Sequence, residues 1–191
     1  MISIAEYFGF EQKLAFHAAP ALLGIKASNM LSVKRNELDI NENIRRFNEK
    51  TAGKGLKIEI LCECGEKALL LVYNRKLLEN RFSDKAVRDF LSGYGYLEEY
   101  SLDECIKRLS QRIEGCGNFP HEVGVFLDYP LEDVIGFIEN NGANYKFCGC
   151  HKVYGDEVKA ARTFSNYTKC RNFLCNKLNT GNDIYQALKI S

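Results

Sequence analysis

The chain has 191 residues, of which 46% are hydrophobic and 27% are charged, the composition of an ordinary globular protein. Its 26 basic and 25 acidic side chains leave a net charge of +1. Because no excess of Lys and Arg is available to neutralise phosphates, the composition argues against binding nucleic acid or a membrane surface.

The N-terminal part of the chain is predicted to be mainly helical. Apolar residues at steps of three and four predict a first helix over Ile4–Ala19. Pro20 disfavours helical backbone at the preceding residue, so this helix should stop or kink there. A short strand or turn is expected at 30–33, followed by a polar surface helix over 39–50.

Two strands are then predicted, over 56–62 and 67–75. In the first, alternation places Cys62 on the same face as the apolar residues Ile58 and Ile60. The second contains the longest apolar run of the chain, which is far too short to span a bilayer. The turn-forming segment Cys64-Gly65-Glu66 between the two strands predicts an antiparallel hairpin.

Helices dominate the next part of the sequence. Ser83 is expected to cap a helix that runs to Leu91, and the capping-box spacing of Ser101 and Glu104 predicts the start of another. Pro120 and Pro130 each stand where the first residue of a helix is favoured. In the helix after Pro130, carboxylates of the first turn should complement the helix dipole, and Gly136 should permit close packing. The carboxylates are those of Glu132 and Asp133.

The C-terminal part begins with a helix stop at Asn140-Asn141-Gly142. We expect a strand over Tyr145–Val153 and then a long helix over Asp156–Leu178, with Asp156 as its cap. A last short helix is expected over 182–189.

These elements predict an α+β fold. Helices outnumber strands, and the clear strands form a hairpin rather than β-α-β units. Since no linker-like stretch divides the sequence, we expect a single, mostly helical domain over residues 1–191. Its small antiparallel sheet would comprise the hairpin at about 56–75 and a strand at about 145–153.

The cysteines and the N-terminus indicate a reducing compartment. The segment Met1–Glu6 has neither a basic region nor a long apolar core, which argues against a secretory signal. Reduced thiols in a cytoplasmic protein are therefore expected. The eight cysteines are Cys62, Cys64, Cys105, Cys116, Cys148, Cys150, Cys170 and Cys175.

The segment Phe119–Ile138 resembles the signature of an uncharacterised family of anaerobic Firmicutes, catalogued as domain of unknown function 3793. The resemblance continues through further short segments: His17–Pro20, Gly24–Lys26, Cys148-Gly149, Lys152–Asp156 and Tyr167–Arg171. It implies a cytosolic protein of an anaerobe, and it implies no activity.

The chain departs from the pattern of that family at a few positions. The resemblance leads us to expect Cys where Ala18 stands and Gly where Asp128 stands. It also leads us to expect an aromatic pair in place of Cys150 and His151, so these two residues look like a local variation rather than a shared site.

His121 and Glu122 are the candidate catalytic residues. If Pro120 opens a helix, the positive end of the helix dipole disfavours an imidazolium at His121. A neutral imidazole suits a general base or a metal ligand. The alternative is that both residues make capping and packing hydrogen bonds at the helix start.

A thiol at position 18, as the resemblance implies, would pair with His121 as nucleophile and base. In this chain Ala18 removes that thiol, and the alternative is that position 18 holds a small buried residue. The segment His17–Pro20, which takes part in the resemblance, still suggests that His17 and Ala18 lie beside a ligand. Tyr154 is a further ligand-binding candidate, although its segment also reads as a turn that leads to the Asp156 cap.

Two C-x-C pairs suggest a metal site. Residues two apart in a strand share a face, so each pair presents two thiolates together, and four converging sulfurs would suit zinc. The spacing is weaker evidence than C-x-x-C. The candidate ligands are Cys62, Cys64, Cys148 and Cys150.

Three hypotheses for the function follow. The first is a small cytosolic ligand-binding or regulatory module with a pocket near His121 and with a small molecule or a protein as its partner. The second is a thiol/His-type enzyme family in which Ala18 makes this chain inactive or altered. The third is a Cys/His metal-binding protein. Whether the chain is an enzyme stays open, and no cofactor is indicated.

Overall fold

The computed structural model describes residues 9–35, 39–115 and 119–190. Within these ranges the chain divides into two units. The first contains the residues up to Lys76 and those from Tyr167 onward, and the second is Leu77–Asn166. The expectation of a single domain over residues 1–191 stays a prediction.

The predicted α+β class is confirmed by the secondary structure of the described residues. The helices are α1 (Phe10–Leu22), α2 (Ile40–Thr51), α3 (Arg75–Ser83), α4 (Lys85–Ser92), α5 (Leu102–Gly115), α6 (Val123–Phe126), α7 (Leu131–Glu139), α8 (Glu157–Asn179) and α9 (Ile184–Ala187). The strands are β1 (Ser28–Lys34), β2 (Leu56–Cys64), β3 (Lys67–Asn74), β4 (Phe147–Cys148) and β5 (Lys152–Val153).

An antiparallel sheet in the order β1-β3-β2 organises the first unit. The predicted hairpin of β2 and β3 is confirmed, and the segment expected at 30–33 is a longer strand that pairs with β3. Leu70 lies opposite Leu31 on one side and Ile60 on the other. The apolar run in β3 therefore forms the centre of the sheet, where it is paired along both edges.

A bulge in β2 changes the face on which one cysteine lies. The register shifts between Ile60 and Cys62, so that Cys62 lies opposite Leu69 while Ile60 lies opposite Leu70. Leu61 is fully buried at this point. Because one extra residue reverses the alternation of faces, the prediction that Cys62 shares the face of Ile58 and Ile60 is wrong.

The core of the first unit lies on one face of this sheet. Leu70 and Val72 of β3 pack there against Leu14 of α1, Phe47 of α2 and Leu174 of α8. Burying one such side chain contributes roughly 1.5–3 kcal/mol, so the amphipathic helices are held mainly by this contact. The polar helix predicted over 39–50 is confirmed as α2, with Phe47 buried.

Helix α1 continues through Pro20 and ends at Leu22, beyond the stop that we predicted near Ala19. Pro20 falls in the last turn, where the loss of one hydrogen bond interrupts little helix. The chain then leaves through Gly24 at φ 69°, and the amide of Ile25 donates to the carbonyl of Pro20 at 2.8 Å. The beginning of the predicted helix, from Ile4, lies outside the described residues.

We predicted that Ser83 caps a helix, and this is wrong. Ser83 is instead the last residue of α3, a helix that we did not predict. Asp84 caps α4 instead, since its carboxylate accepts a hydrogen bond from the amide of Ala86 at 2.9 Å. Leu78 and Phe82 stand four residues apart, and this helical spacing was the available signal. Because we predicted a strand that runs to Arg75, we did not predict the helix that begins at this residue.

The predicted strand over Tyr145–Val153 is a hairpin of two short strands, β4 and β5. Its turn is closed by a hydrogen bond from the amide of Gly149 to the carbonyl of His151 at 3.1 Å. Gly149 lies against the ring of Phe164, where a Cβ atom would overlap the ring carbons. The turn is therefore fixed by contact with α8, which alternation in the sequence does not reveal.

The capping box at the start of α5 is confirmed. The amide of Ser101 donates to the Glu104 carboxylate at 2.7 Å, and the amide of Glu104 donates to the Ser101 hydroxyl at 3.3 Å. The cap of α8 is also as predicted, because Asp156 accepts from the amide of Lys159 at 2.9 Å. In the part of the chain that the structure describes, no helix has the length and apolar character needed to cross a membrane.

We predict that Ser101→Ala lowers the free energy of unfolding by about 1 kcal/mol, because the first turn of α5 loses its cap. Urea unfolding followed by circular dichroism measures the change. Ser165→Ala, at an exposed position within α8, is the control and should be neutral or slightly stabilising. Equal losses for the two variants would contradict the cap assignment.

Candidate functional site

A pocket of about 330 Å³ in the second unit is the candidate site. It lies among the segment that precedes α6, helix α7 and the β4–β5 hairpin. Its walls are largely apolar and include Phe119, Val134 and Phe137. A volume of this size is at the lower end of the range for sites that hold small organic molecules.

His121 lines this pocket, but not at a helix start. Helix α6 begins at Val123, two residues after His121, and is a single turn. The prediction that Pro120 opens a helix is therefore wrong, and a one-turn helix gives the dipole argument no support. The imidazole of His121 is exposed and contacts the ring of Phe137 edge-on, with 5.3 Å between the ring centroids.

Glu122 is fully buried and forms an ion pair with Arg112. The hydroxyl of Tyr96 also donates to its carboxylate, at 3.3 Å. Burial and the neighbouring Glu122 carboxylate raise the pKa of Tyr96 well above its ordinary value. These contacts join the segment before α6 to α5, as expected of a structural carboxylate. A catalytic role for Glu122 stays a prediction.

Asp133 holds the loop that follows the hairpin. Its Oδ1 accepts hydrogen bonds from the amides of Tyr154 at 2.7 Å and Gly155 at 2.9 Å. Its Oδ2 lies 2.9 Å from Nε2 of His151. The sequence reading assigned Asp133 only to the helix dipole. A carboxylate that is 3% exposed and bonded to three nitrogen atoms does more, because it ties α7 to the chain on both sides of β5.

His151 belongs to the wall of the same pocket. Its ring stacks on Tyr129 with 4.3 Å between centroids and meets Phe164 edge-on at 5.0 Å. Nε2 faces Asp133, and Nδ1 is buried. His151 therefore presents an aromatic surface rather than an accessible nitrogen. This suits a position where the resemblance leads us to expect an aromatic residue.

Lys152 provides a positive charge in the pocket wall. Its Nζ donates to the carbonyl of Gly142 at 2.6 Å and lies 4.9 Å from the ring centroid of Tyr145 and 5.7 Å from that of Phe137. The ring of Phe137 thus has the imidazole of His121 and the ammonium of Lys152 as neighbours. We did not predict Lys152 as a site residue. It is far from His121 in the sequence, and no sequence pattern indicates that the two residues line the same pocket.

Tyr154 packs against α7, where a Cβ atom at Gly136 would lie 2.5 Å from its Cγ. This confirms that Gly136 permits close packing. The hydroxyl of Tyr154 donates to the carbonyl of Ala143 at 2.9 Å. These contacts agree with the turn reading of the segment, and a role of Tyr154 in ligand binding stays a prediction.

The segment His17–Pro20 lies in the first unit. Ala18 is fully buried in the core, in agreement with the reading of a small buried residue. Burial lowers the pKa of His17, and the positive charges of Arg171 and Lys13 lower it further. The guanidinium of Arg171 lies 4.6 Å from the ring centroid of Phe16, beside His17. The pairing of position 18 with His121 stays a prediction.

A family model matches residues 14–188, which is most of the chain. It describes a protein of unknown function (DUF3793). The chain belongs to the DUF3793 family. The resemblance read from the sequence is thereby confirmed. No curated protein matches the chain, and no solved structure does.

One departure from the DUF3793 pattern has a visible consequence. Asp128 adopts φ 57°, in the left-handed region that favours glycine, and glycine is the residue that the resemblance leads us to expect there. The guanidinium of Arg81 lies 3.9 Å from the carboxylate of Asp128 and donates to the carbonyl of Tyr129 at 2.7 Å. These contacts fix the turn between α6 and α7.

The two C-x-C pairs lie in different units. Cys62 and Cys64 belong to β2, whereas Cys148 and Cys150 belong to the β4–β5 hairpin. Within residues 9–35, 39–115 and 119–190, no group of three or more His, Cys, Asp or Glu side chains is arranged to hold a metal ion. The metal site stays a prediction. Cys150 lines the candidate pocket.

We predict that Asp133→Ala lowers the free energy of unfolding by about 2–4 kcal/mol, because two buried amides lose their acceptor. Glu139→Gln, an exposed substitution at the end of the same helix, should stay within about 0.5 kcal/mol of the parent. Chemical denaturation measures both. If Asp133→Ala lowers the free energy of unfolding by less than about 1 kcal/mol, the Asp133 carboxylate does not stabilise the loop as we describe.

Proposed function

We propose that this DUF3793 protein is a small ligand-binding module whose second unit holds a small organic molecule in the pocket beside His121. The observation that carries the proposal is the pocket of about 330 Å³, with apolar walls and a few polar groups that converge on it. Such a combination is typical of small-molecule sites.

The chemistry of the polar groups supports binding rather than catalysis. The Asp133 carboxylate is engaged by two amides and by His151, so it is not available as a general base. Both nitrogen atoms of His151 are enclosed. Of the two imidazoles that line the pocket, that of His121 is exposed, which suits it to contact a ligand.

A thiol/His-type enzyme is the second candidate, and one observation favours it. Cys150 is exposed and lines the same pocket as His121, so a thiol accompanies the imidazole although position 18 has none. Under the binding proposal, Cys150→Ser leaves ligand affinity nearly unchanged and no turnover is detected. A Cys150-dependent turnover of a thioester or ester probe would favour the enzyme.

We further propose that the protein works in the cytoplasm of an anaerobic member of the Firmicutes. The seven cysteines among the described residues form no disulfide bonds, as a reducing compartment favours. One of them is stabilised as a thiol, since burial raises the pKa of Cys105 to about 11.

A fragment library screened by two-dimensional amide NMR on the full chain tests the binding function. Fragments that bind should shift amide signals of residues 119–124, 129–137 and 150–152 together. His121→Ala should weaken them about 3- to 10-fold, because the edge of the pocket loses an aromatic contact. The control His17→Ala, in the first unit, should leave these affinities unchanged.

The proposal fails if no fragment shifts these signals at millimolar concentration, or if shifts are scattered over the whole chain. It also fails if His17→Ala and His121→Ala weaken binding equally. Thermal unfolding of both variants verifies that each is folded, and the exposed position of His121 makes its replacement well tolerated.

A further inference from the structure

The charges around the pocket indicate which ligands it accepts. Among the described lining residues, the acidic side chain is Asp133, and the side chain with a fixed positive charge is Lys152. The negative charge of Asp133 is compensated by three nitrogen partners. The pocket wall therefore presents positive charge and N–H donors to a ligand. A ligand with an anionic group is complementary to such a wall.

Lys152 is positioned to receive that group. Hydrogen bonding to the Gly142 carbonyl engages one of the three N–H donors of its ammonium, which is also held beside the rings of Phe137 and Tyr145. Within the described residues, Lys152 contacts a carbonyl oxygen and two aromatic faces and forms no salt bridge with a carboxylate. A charge kept against apolar rings interacts strongly with an incoming anion, because water screens it less.

His121 supplies the second donor. Its ring touches the same Phe137 that borders Lys152, so the two groups flank one apolar surface. An imidazole donates through one nitrogen when neutral and through both when protonated. Two donors beside one ring match the two oxygens of a carboxylate. A phosphate dianion carries more negative charge than the single fixed positive charge of Lys152 compensates.

The apolar walls determine the rest of the ligand. Phe119 and Phe137 present aromatic surfaces, and Val134 of α7 packs against Gly124 of α6. Planar rings pack well on such surfaces. We propose that the ligand is a small apolar monocarboxylate, with its carboxylate held by Lys152 and His121 and its apolar body against Phe119 and Phe137. This inference rests on the binding function proposed above.

Three probes of similar shape test the ligand class: phenylacetate, 2-phenylethanol and 2-phenylethylamine. Amide NMR titration of the full chain should give phenylacetate an affinity about tenfold higher than that of the alcohol, since only the acid brings a negative charge to the ammonium of Lys152. The amine should be the weakest of the three. Raising the salt concentration should weaken phenylacetate more than the alcohol.

Substitutions identify the group that is responsible. Lys152→Gln should bring phenylacetate down to the affinity of the alcohol, and Lys152→Arg should restore most of the preference. Lys146→Gln is the matched control, because Lys146 donates to the Gly155 carbonyl at 3.0 Å from the same hairpin and does not line the pocket. It should leave the preference unchanged.

The outcomes separate this inference from the binding function. Equal binding of the acid and the alcohol at the pocket would overturn the carboxylate class and leave the binding function standing. A preference that survives Lys152→Gln would overturn the role of Lys152. If none of the three probes binds, the carboxylate class is refuted, and the neutral fragments of the library decide separately on the binding function.

Discussion

The carboxylate of Asp133 is the constraint on which the second unit depends. It stands in the first turn of α7 and accepts hydrogen bonds from two successive amides, those of Tyr154 and Gly155. The same side chain faces the imidazole of His151. A single buried group thus fixes the end of the hairpin, the approach to α8 and the orientation of an aromatic wall.

Close packing around that group completes the arrangement. Gly136 lets Tyr154 lie directly on α7, and Gly149 lets the hairpin turn lie on Phe164. His151 fills the space between Tyr129 and Phe164. Packing and the hydrogen bonds of Asp133 fix these rings, so the wall of the pocket has a defined shape. Such a wall is prepared before a ligand arrives, which lowers the entropic cost of binding.

The sequence was informative where the determinants are local. The hairpin of β2 and β3, the capping box at Ser101 and the cap at Asp156 follow from short patterns, and all three are present. The predictions were wrong where the structure depends on contacts between residues far apart in the sequence. The bulge that turns Cys62 to the other face, and the contact of Gly149 with Phe164, depend on partners that periodicity does not reveal.

The candidate site shows the same division. His121 lines the pocket, but the helix from which the sequence argument started does not begin at Pro120. Lys152 and Cys150 come to the pocket from the hairpin, and Asp133 was assigned to a helix dipole alone. A buried carboxylate that collects amides from a distant loop cannot be recognised by its neighbours in sequence, since its partners are brought to it by the fold.

Amide hydrogen exchange at Tyr154 and Gly155 tests the role of Asp133 most directly. If its carboxylate holds the loop, both amides should exchange at least about a hundredfold more slowly than in an unstructured peptide, and Asp133→Ala should remove that protection. If both amides of the parent protein exchange at the unprotected rate, the Asp133 carboxylate does not hold the loop. That result would also contradict the preformed wall of the pocket.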